Sequence, residues 1–372
     1  MKPALRTPLL TLHLWIGITV GVVFMVVALS GAVLIFRTKL ERTLDPRRFI
    51  VAPGAVRLSP DELVARARAA HPASEFLSVR YYGDPTMPFL AYFSNKDYVH
   101  VNPYTGEILG TRPRYGEGFG WVEGLHKYLM LEPSVGENVN GTFAFIFIGL
   151  MLTGIVLWWP VTRKALKAGL TLNPKLSGRP WNLNLHKTIG IYAACVLLFS
   201  ATSGVPISFE STRAVLDFMT GSKREAPPPA PATPAGKFVG FNAVAARIET
   251  LMPGAHETYI PLAKKGVIPA YAIAADAPQP NARSYVYLDS AAHVLRFAPF
   301  AEASAGYRLY YWMLSLHTAV AGGFAMQLVL LCGALAVPVL AWTGVASYLR
   351  RKSRAKAAVV SRTVTPEPVL SK

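Results

Sequence analysis

The chain has 372 residues, 52% of them hydrophobic, with 38 Lys and Arg against 21 Asp and Glu for a formal net charge of +17. That length accommodates two domains and several membrane spans, and two cysteines are too few for a disulfide framework. The cationic residues cluster beside apolar segments, which marks them as anchors at anionic lipid headgroups and excludes nucleic acid as the partner.

Four apolar segments are long enough to cross a bilayer, at about 9–36, 139–160, 183–208 and 321–349. The first carries no small-residue cleavage site, so it reads as a retained span rather than a signal peptide. Arg163, Lys164, Lys167, Lys175 and Arg179 fall in or beside the short loop 161–182, Arg350, Arg351, Lys352, Arg354 and Lys356 follow the fourth span, and Lys2 and Arg6 precede the first. By the positive-inside rule both termini and that loop are cytoplasmic. Arg37, Lys39, Arg42, Arg47 and Arg48, just past the first span, go against this count, with Glu41 and Asp45 interspersed.

Residues 37–113 are expected to form a small outer α+β domain. Ser59-Pro60-Asp61-Glu62 starts a helix with Leu63, Ala67 and Ala70 on one face. Phe76–Tyr82, Pro88–Ser94, Asp97–Val101 and Glu107–Thr111 alternate as strands do, with Asn102-Pro103-Tyr104-Thr105-Gly106 as a turn. A His-bearing segment, 114–138, leads into the second span. The second outer region, 209–305, begins with a helical stretch to about Met219 and a Pro/Ala-rich linker, Ala226–Ala235. A helix from Phe241 and strands at Thr258–Leu262, Ala270–Ala274 and Ser284–Leu288 follow, then a second His-bearing segment, 306–320, and after the fourth span a tail, 350–372.

The chain repeats itself. Leu12–Phe36 and Leu185–Phe209 align without a gap at an offset of 173 residues and keep ten identities in 25, including Leu-His, Ile-Gly-Ile, Ser-Gly and the final Phe. Trp121-Val122-Glu123-Gly124-Leu125-His126 matches Trp312-Met313-Leu314-Ser315-Leu316-His317 as W-x-x-x-L-H, and each is followed by Thr-Gly in its span, at Thr153-Gly154 and Thr343-Gly344. Each half crosses twice, so the repeats are parallel, about an axis along the membrane normal. The expected fold is an integral membrane α-helical bundle of four spans in two parallel repeats, with two extramembrane α+β domains.

Four of the eight histidines occupy matched positions: His13 with His186, and His126 with His317. A histidine within a span is costly to bury and marks a site facing the bundle interior. Two imidazoles at one depth, one from each half, suit the axial ligation of a planar haem. Zinc fits less well, because neither pair has a cysteine or carboxylate beside it, and a proton relay leaves the pairing unexplained. His71, His100, His256 and His293 have no histidine in register and read as surface or turn residues. Cys195 and Cys332, in mid-span, read as packing residues. No HExxH or GxSxG supports hydrolysis, and the spans lack the buried carboxylates that ion-coupled transport requires.

With the duplicated L-H-x-x-I-G span, W-x-x-x-L-H before later spans, and Val99-His100-Val101-Asn102-Pro103-Tyr104-Thr105-Gly106-Glu107-Ile108-Leu109, the chain resembles the PepSY-associated transmembrane family over roughly residues 8–350. The second copy departs from that signature at Ser290-Ala291-Ala292-His293, without Pro or Gly. The resemblance implies two outer PepSY-like domains, two haem b groups with His13, His186, His126 and His317 as axial ligands to the haem iron, and a place in the bacterial inner membrane. It also implies ferric-siderophore reduction, in which an unidentified cytoplasmic donor sends electrons to a ferric chelate docked on the periplasmic side between the outer domains. Lys187 and Arg179 inside, with Lys127 and Arg308 outside, are read as interfacial charges, with pairing to haem propionates as the alternative. The alternative of another class is a non-enzymatic membrane sensor or scaffold with structural haem.

Overall fold

The computed structural model describes residues 3–223 and 238–363; the Pro/Ala-rich linker and the end of the tail lie outside them. The chain divides into two compact units: a helical unit of residues up to Ala32, Asn138–Val205 and from Leu328, and a sheet unit of Val33–Glu137 and Pro206–Gln327.

Four helices have the length and composition to span a bilayer, and the chain is a membrane protein. In order with their neighbours they are α1 (Pro3–Leu34), the short α2 (Arg37–Leu44) and α3 (Pro46–Phe49), α4 (Pro60–Ala70), α5 (Gly118–Tyr128), α6 (Pro133–Trp158), the short basic α7 (Arg163–Leu170) and α8 (Gly178–Ser208). Then come α9 (Arg213–Met219), α10 (Phe241–Leu251), α11 (Ala305–His317) and α12 (Gly323–Thr363). The spans α1, α6, α8 and α12 meet in one cluster, to which Phe24, Leu150, Ala193, Leu197, Ala336 and Val337 contribute. Cys195 and Cys332 are free thiols on the exposed surface of these helices rather than within that cluster.

The sheet unit differs from the expectation of two outer domains. Its strands β1 (Phe76–Tyr82), β2 (Phe89–Phe93), β3 (Asp97–Val101), β4 (Ile108–Pro113), β5 (Glu257–Pro261), β6 (Val267–Ile273), β7 (Arg283–Asp289) and β8 (Val294–Ala298) form a single antiparallel sheet in the order 4-3-2-1-5-6-7-8. Two four-stranded meanders join where β1 pairs with β5, Val79 opposite Ile260 and Arg80 opposite Tyr259. Strand period 2 sends Val79, Ala91, Val99, Ile260, Ala270 and Val286 to one face, where Leu63, Val64 and Ala67 of α4 and Phe241, Val244 and Ile248 of α10 close a shared core. The small domain anticipated for residues 37–113 gains its missing apolar cover this way.

The two covering helices cap each other. Ser59 and Glu62 make a capping box at α4, and Asp61 accepts from the Phe241 and Asn242 backbone N–H groups at 2.7 and 3.1 Å while Asn242 Oδ1 accepts from the Asp61 N–H at 2.9 Å. Gly240 permits this: its φ is +108°, and a Cβ there would stand 2.7 Å from Asp61 Oδ2. The divergent second turn still closes, with Asp289 Oδ1 accepting from the Ala291 and His293 N–H groups and Ala292 taking φ +60°. Holding an alanine there costs about 1 kcal/mol relative to glycine.

One histidine corrects the sequence reading. His100 is 1% exposed, not a surface residue. Arg112 Nε donates to its Nε2 at 3.3 Å, Phe49 meets its ring edge-on, and burial together with the Arg112 charge pushes its pKa down to about 3. His71 sits beside Asp97, and His293 is exposed beside Asp289.

Candidate functional site: two histidine pairs

His13 lies in the fourth turn of α1 and His186 in the third turn of α8. Their ring centres are 6.2 Å apart with planes at 89°. His126, near the end of α5, and His317, the last residue of α11, have ring centres 6.3 Å apart with planes at 52°. The structure thus brings together both pairs that the repeat predicts, each within a single unit.

That spacing has a chemical meaning. Two in-line metal–imidazole bonds of about 2 Å, with about 1 Å more from each coordinating nitrogen to its ring centre, put two ring centres ~6 Å apart. Rings touching face to face would be nearer. Among the described residues no three His, Cys, Asp or Glu side chains gather round a common point, so each donor set is two imidazoles. Such a set suits a metal whose remaining positions are filled by a macrocycle.

The first pair is oriented by the Thr-Gly motif of the next span. His186 Nδ1 lies 3.1 Å from the Leu340 carbonyl and 3.0 Å from Thr343 Oγ1. A carbonyl only accepts, so Nδ1 carries the proton and Nε2 keeps its lone pair. At His13 the Thr153 hydroxyl donates to the Leu150 carbonyl at 2.9 Å and therefore accepts from Nδ1–H at 3.0 Å. Thr343 does the same, donating to the Val339 carbonyl at 2.7 Å. Both rings thus present the ligating tautomer, fixed by an outer partner as metal-bound imidazoles usually are. Of the adjacent glycines, Gly154 makes room, since a Cβ there would lie 3.1 Å from His13 Cε1, whereas one on Gly344 would lie at an ordinary 3.7 Å from His186 Cε1.

The helix that carries His126 is held by a group of ion pairs. Arg37 binds Glu123 at 2.6 Å and Glu41 at 3.0 Å, Arg112 reaches Glu41 at 3.5 Å, and Lys127 is 3.9 Å from Glu123. Burial alone would raise the Glu123 pKa, but Arg37 and Lys127 outweigh it and hold the carboxyl below its ordinary value. Glu123 stands one turn before His126 on α5.

Of the four cations read as interfacial charges, Arg179 has its Nε buried without a hydrogen-bond partner in the described structure. Lys187 is exposed, Lys127 faces Glu123, and Arg308 donates to the Ala301 carbonyl at 3.1 Å.

A further group is absent from the sequence reading. The sheet face opposite the core, with α9 and α11, lines a cavity of about 910 Å³. Nine tyrosines and six cationic side chains border it against Glu210 and Asp217. The sequence signal is the alternation in Arg283-Ser284-Tyr285-Val286-Tyr287, which sends Arg and Tyr together to one face.

A protein-family model for the PepSY-associated TM region matches residues 10–351, nearly the whole chain. No curated protein matches the sequence.

Proposed function

The chain belongs to the PepSY-associated transmembrane family, and we propose that it is a di-haem b reductase of the bacterial inner membrane that passes electrons from a cytoplasmic donor to a periplasmic ferric chelate. The observation that carries this reading is the recurrence of one ring separation, 6.2 and 6.3 Å, at the two histidine pairs. Incidental histidines would have no reason to meet twice at the span of an axial pair.

His13 with His186, and His126 with His317, would hold the two groups through Nε2. Haem b between two imidazoles supplies one-electron transfer and leaves the iron no open position for oxygen. Thr153 and Thr343 keep the first two rings aimed, and the unpartnered Nε of Arg179 suits a carboxylate of the bound group. Two parallel repeats, each with a PepSY-like outer meander, would account for the matched offsets, and the basic residues of loop 161–182 and the tail support a cytoplasmic location for both termini. Each electron delivered turns chelated Fe(III) into Fe(II), which hard oxygen ligands hold less tightly, and the iron is released.

The test uses full-length protein in detergent. Haem extraction returns two haem b per chain with a split low-spin spectrum, and dithionite-reduced protein is reoxidised by a ferric chelate. Haem without reoxidation by any ferric chelate transfers the family scaffold to a sensor with structural haem. A colourless protein ends the reading.

A further inference from the structure

Resting on the reductase reading, we propose that the cavity of the sheet unit is the receptor site for the chelate, and that it selects a multiply anionic chelate with flat aromatic arms, the tris-catecholate class, over neutral or cationic chelates.

Charge is the first argument. Arg80, Arg114, Arg213, Lys264, Arg283 and Arg296 border the cavity against two acids, Glu210 and Asp217. Arg80 and Arg213 share charge with Glu257 and Glu210, at 3.5 and 3.8 Å. Among the described residues Arg114, Arg283 and Lys264 have no carboxylate within ion-pair distance, and Arg283 Nε is buried without a hydrogen-bond partner. An unpaired cation kept in a partly desolvated cavity is costly until an anion arrives.

The second argument is how these cations are held. The Arg283 guanidinium lies 4.5 Å from the Tyr271 ring centre and 5.5 Å from that of Tyr311, Arg296 is 4.4 Å from Tyr287, and Arg114 is 5.1 Å from Tyr115. Stacking occupies the guanidinium face and leaves the in-plane N–H fork to bind paired oxygens, the geometry of a catecholate or carboxylate edge. The remaining tyrosine faces offer flat apolar area to aromatic arms. Burial holds the Tyr271, Tyr285 and Tyr307 phenols above their ordinary pKa, which disfavours those three as phenolate ligands.

Position is the third. Tyr307, Tyr310 and Tyr311 border the cavity from α11, and the same helix ends at His317. His317 is six positions beyond Tyr311, about 9 Å of helical rise. One rigid element therefore carries both the receptor wall and an axial ligand of the second pair.

The experiment measures binding without electron transfer. Gallium(III) complexes copy the charge and shape of ferric ones and are not reduced, so their affinity for the full-length protein in phosphatidylcholine nanodiscs reads the site alone. The expected result is that a trianionic gallium tris-catecholate binds at least about 10-fold more tightly than a neutral gallium tris-hydroxamate of similar size, with affinity falling as salt rises. Arg283→Gln and Arg114→Gln each weaken binding about 10-fold with haem content unchanged, and Arg283→Lys recovers part of the loss. Lys264→Gln, at an exposed position, weakens it less and keeps the test open if an interior variant misfolds. Equal or tighter binding of the hydroxamate overturns the proposal, as do arginine variants that bind normally or competition by phosphatidylglycerol at matching affinity. Gallium binding without reoxidation of reduced protein by the ferric complex upholds the receptor site and refutes the reductase reading.

Discussion

The two histidine pairs share a ring separation to within 0.1 Å, 6.2 against 6.3 Å, yet they stand on different chemistry. His13 and His186 are steadied by neutral groups, the Thr153 and Thr343 hydroxyls and the Leu340 carbonyl. His126 is carried on a short helix tied down by Arg37, Glu41, Glu123 and Arg112. The difference follows from solvent. Within apolar spans an ion pair must recover the desolvation of both charges, so hydroxyl–carbonyl clamps are the economical support. Outside the spans, water and partial exposure make ion pairs affordable.

The largest effect separates the pairs outright. If the proposed di-haem reading holds, His13→Ala or His186→Ala would remove an axial ligand from the first site alone, and His126→Ala or His317→Ala from the second. Each variant is expected to lose one of the two spectral components and to retain about half of the extractable haem. If one substitution erases both components, the sites are not independent and the comparison fails.

Removing the clamp while keeping the ligand comes next. Thr153→Val and Thr343→Val leave Nδ1 without its hydroxyl partner, and loss of such an outer partner costs about 10–100-fold in affinity. Haem retention at the first site should fall accordingly under competition with apomyoglobin. Thr153→Ser and Thr343→Ser restore the hydroxyl and should restore retention, which separates the hydrogen bond from packing. The second component stays unchanged throughout.

Glu123→Gln is the converse for the second pair. It leaves Arg37 with Glu41 alone and slackens α5 one turn from His126. The side chains of Arg37 and Glu123 keep 24% and 19% exposure, so the cost is about 1–2 kcal/mol rather than that of a fully buried pair. Thermal melts followed at the two spectral components should show the second lost earlier than in the unaltered protein and the first unmoved.

How much of this was legible in the sequence depends on the range of the interaction. The four spans follow from local hydropathy, and the four histidines follow from the 173-residue offset and the W-x-x-x-L-H match. Thr153-Gly154 and Thr343-Gly344 were visible as a repeated motif, but not as clamps, since only packing shows which helix meets Nδ1. Strand β8, Val294–Ala298, was missed because its short run carries no clear period of its own. The single sheet was missed because the β1–β5 pairing joins residues far apart in the chain, such as Arg80 and Tyr259, 179 positions on, and nothing local marks which edge a strand will meet. Tyrosine and arginine alternating with apolar residues mark a strand face but not what covers it; the structure folds that face into a cavity with α9 and α11.

The smallest effect tests the repeat within the first pair itself. Gly154 and Gly344 are matched in sequence but not in clearance: a methyl at Gly154 would meet His13 Cε1 at 3.1 Å, and one at Gly344 would meet His186 Cε1 at 3.7 Å. The latter is ordinary van der Waals contact, and alanine is the better helix former by about 1 kcal/mol, so Gly344→Ala should be neutral or slightly stabilising. Gly154→Ala forces the His13 ring to give by a few tenths of an ångström, and axial geometry tolerates little displacement, so a few-fold loss of haem retention at the first site is expected. The two variants share a motif and differ only in the space beside the imidazole. Identical behaviour would mean that the bound group, not the neighbouring helix, fixes where the rings stand, and the clamp would lose its role.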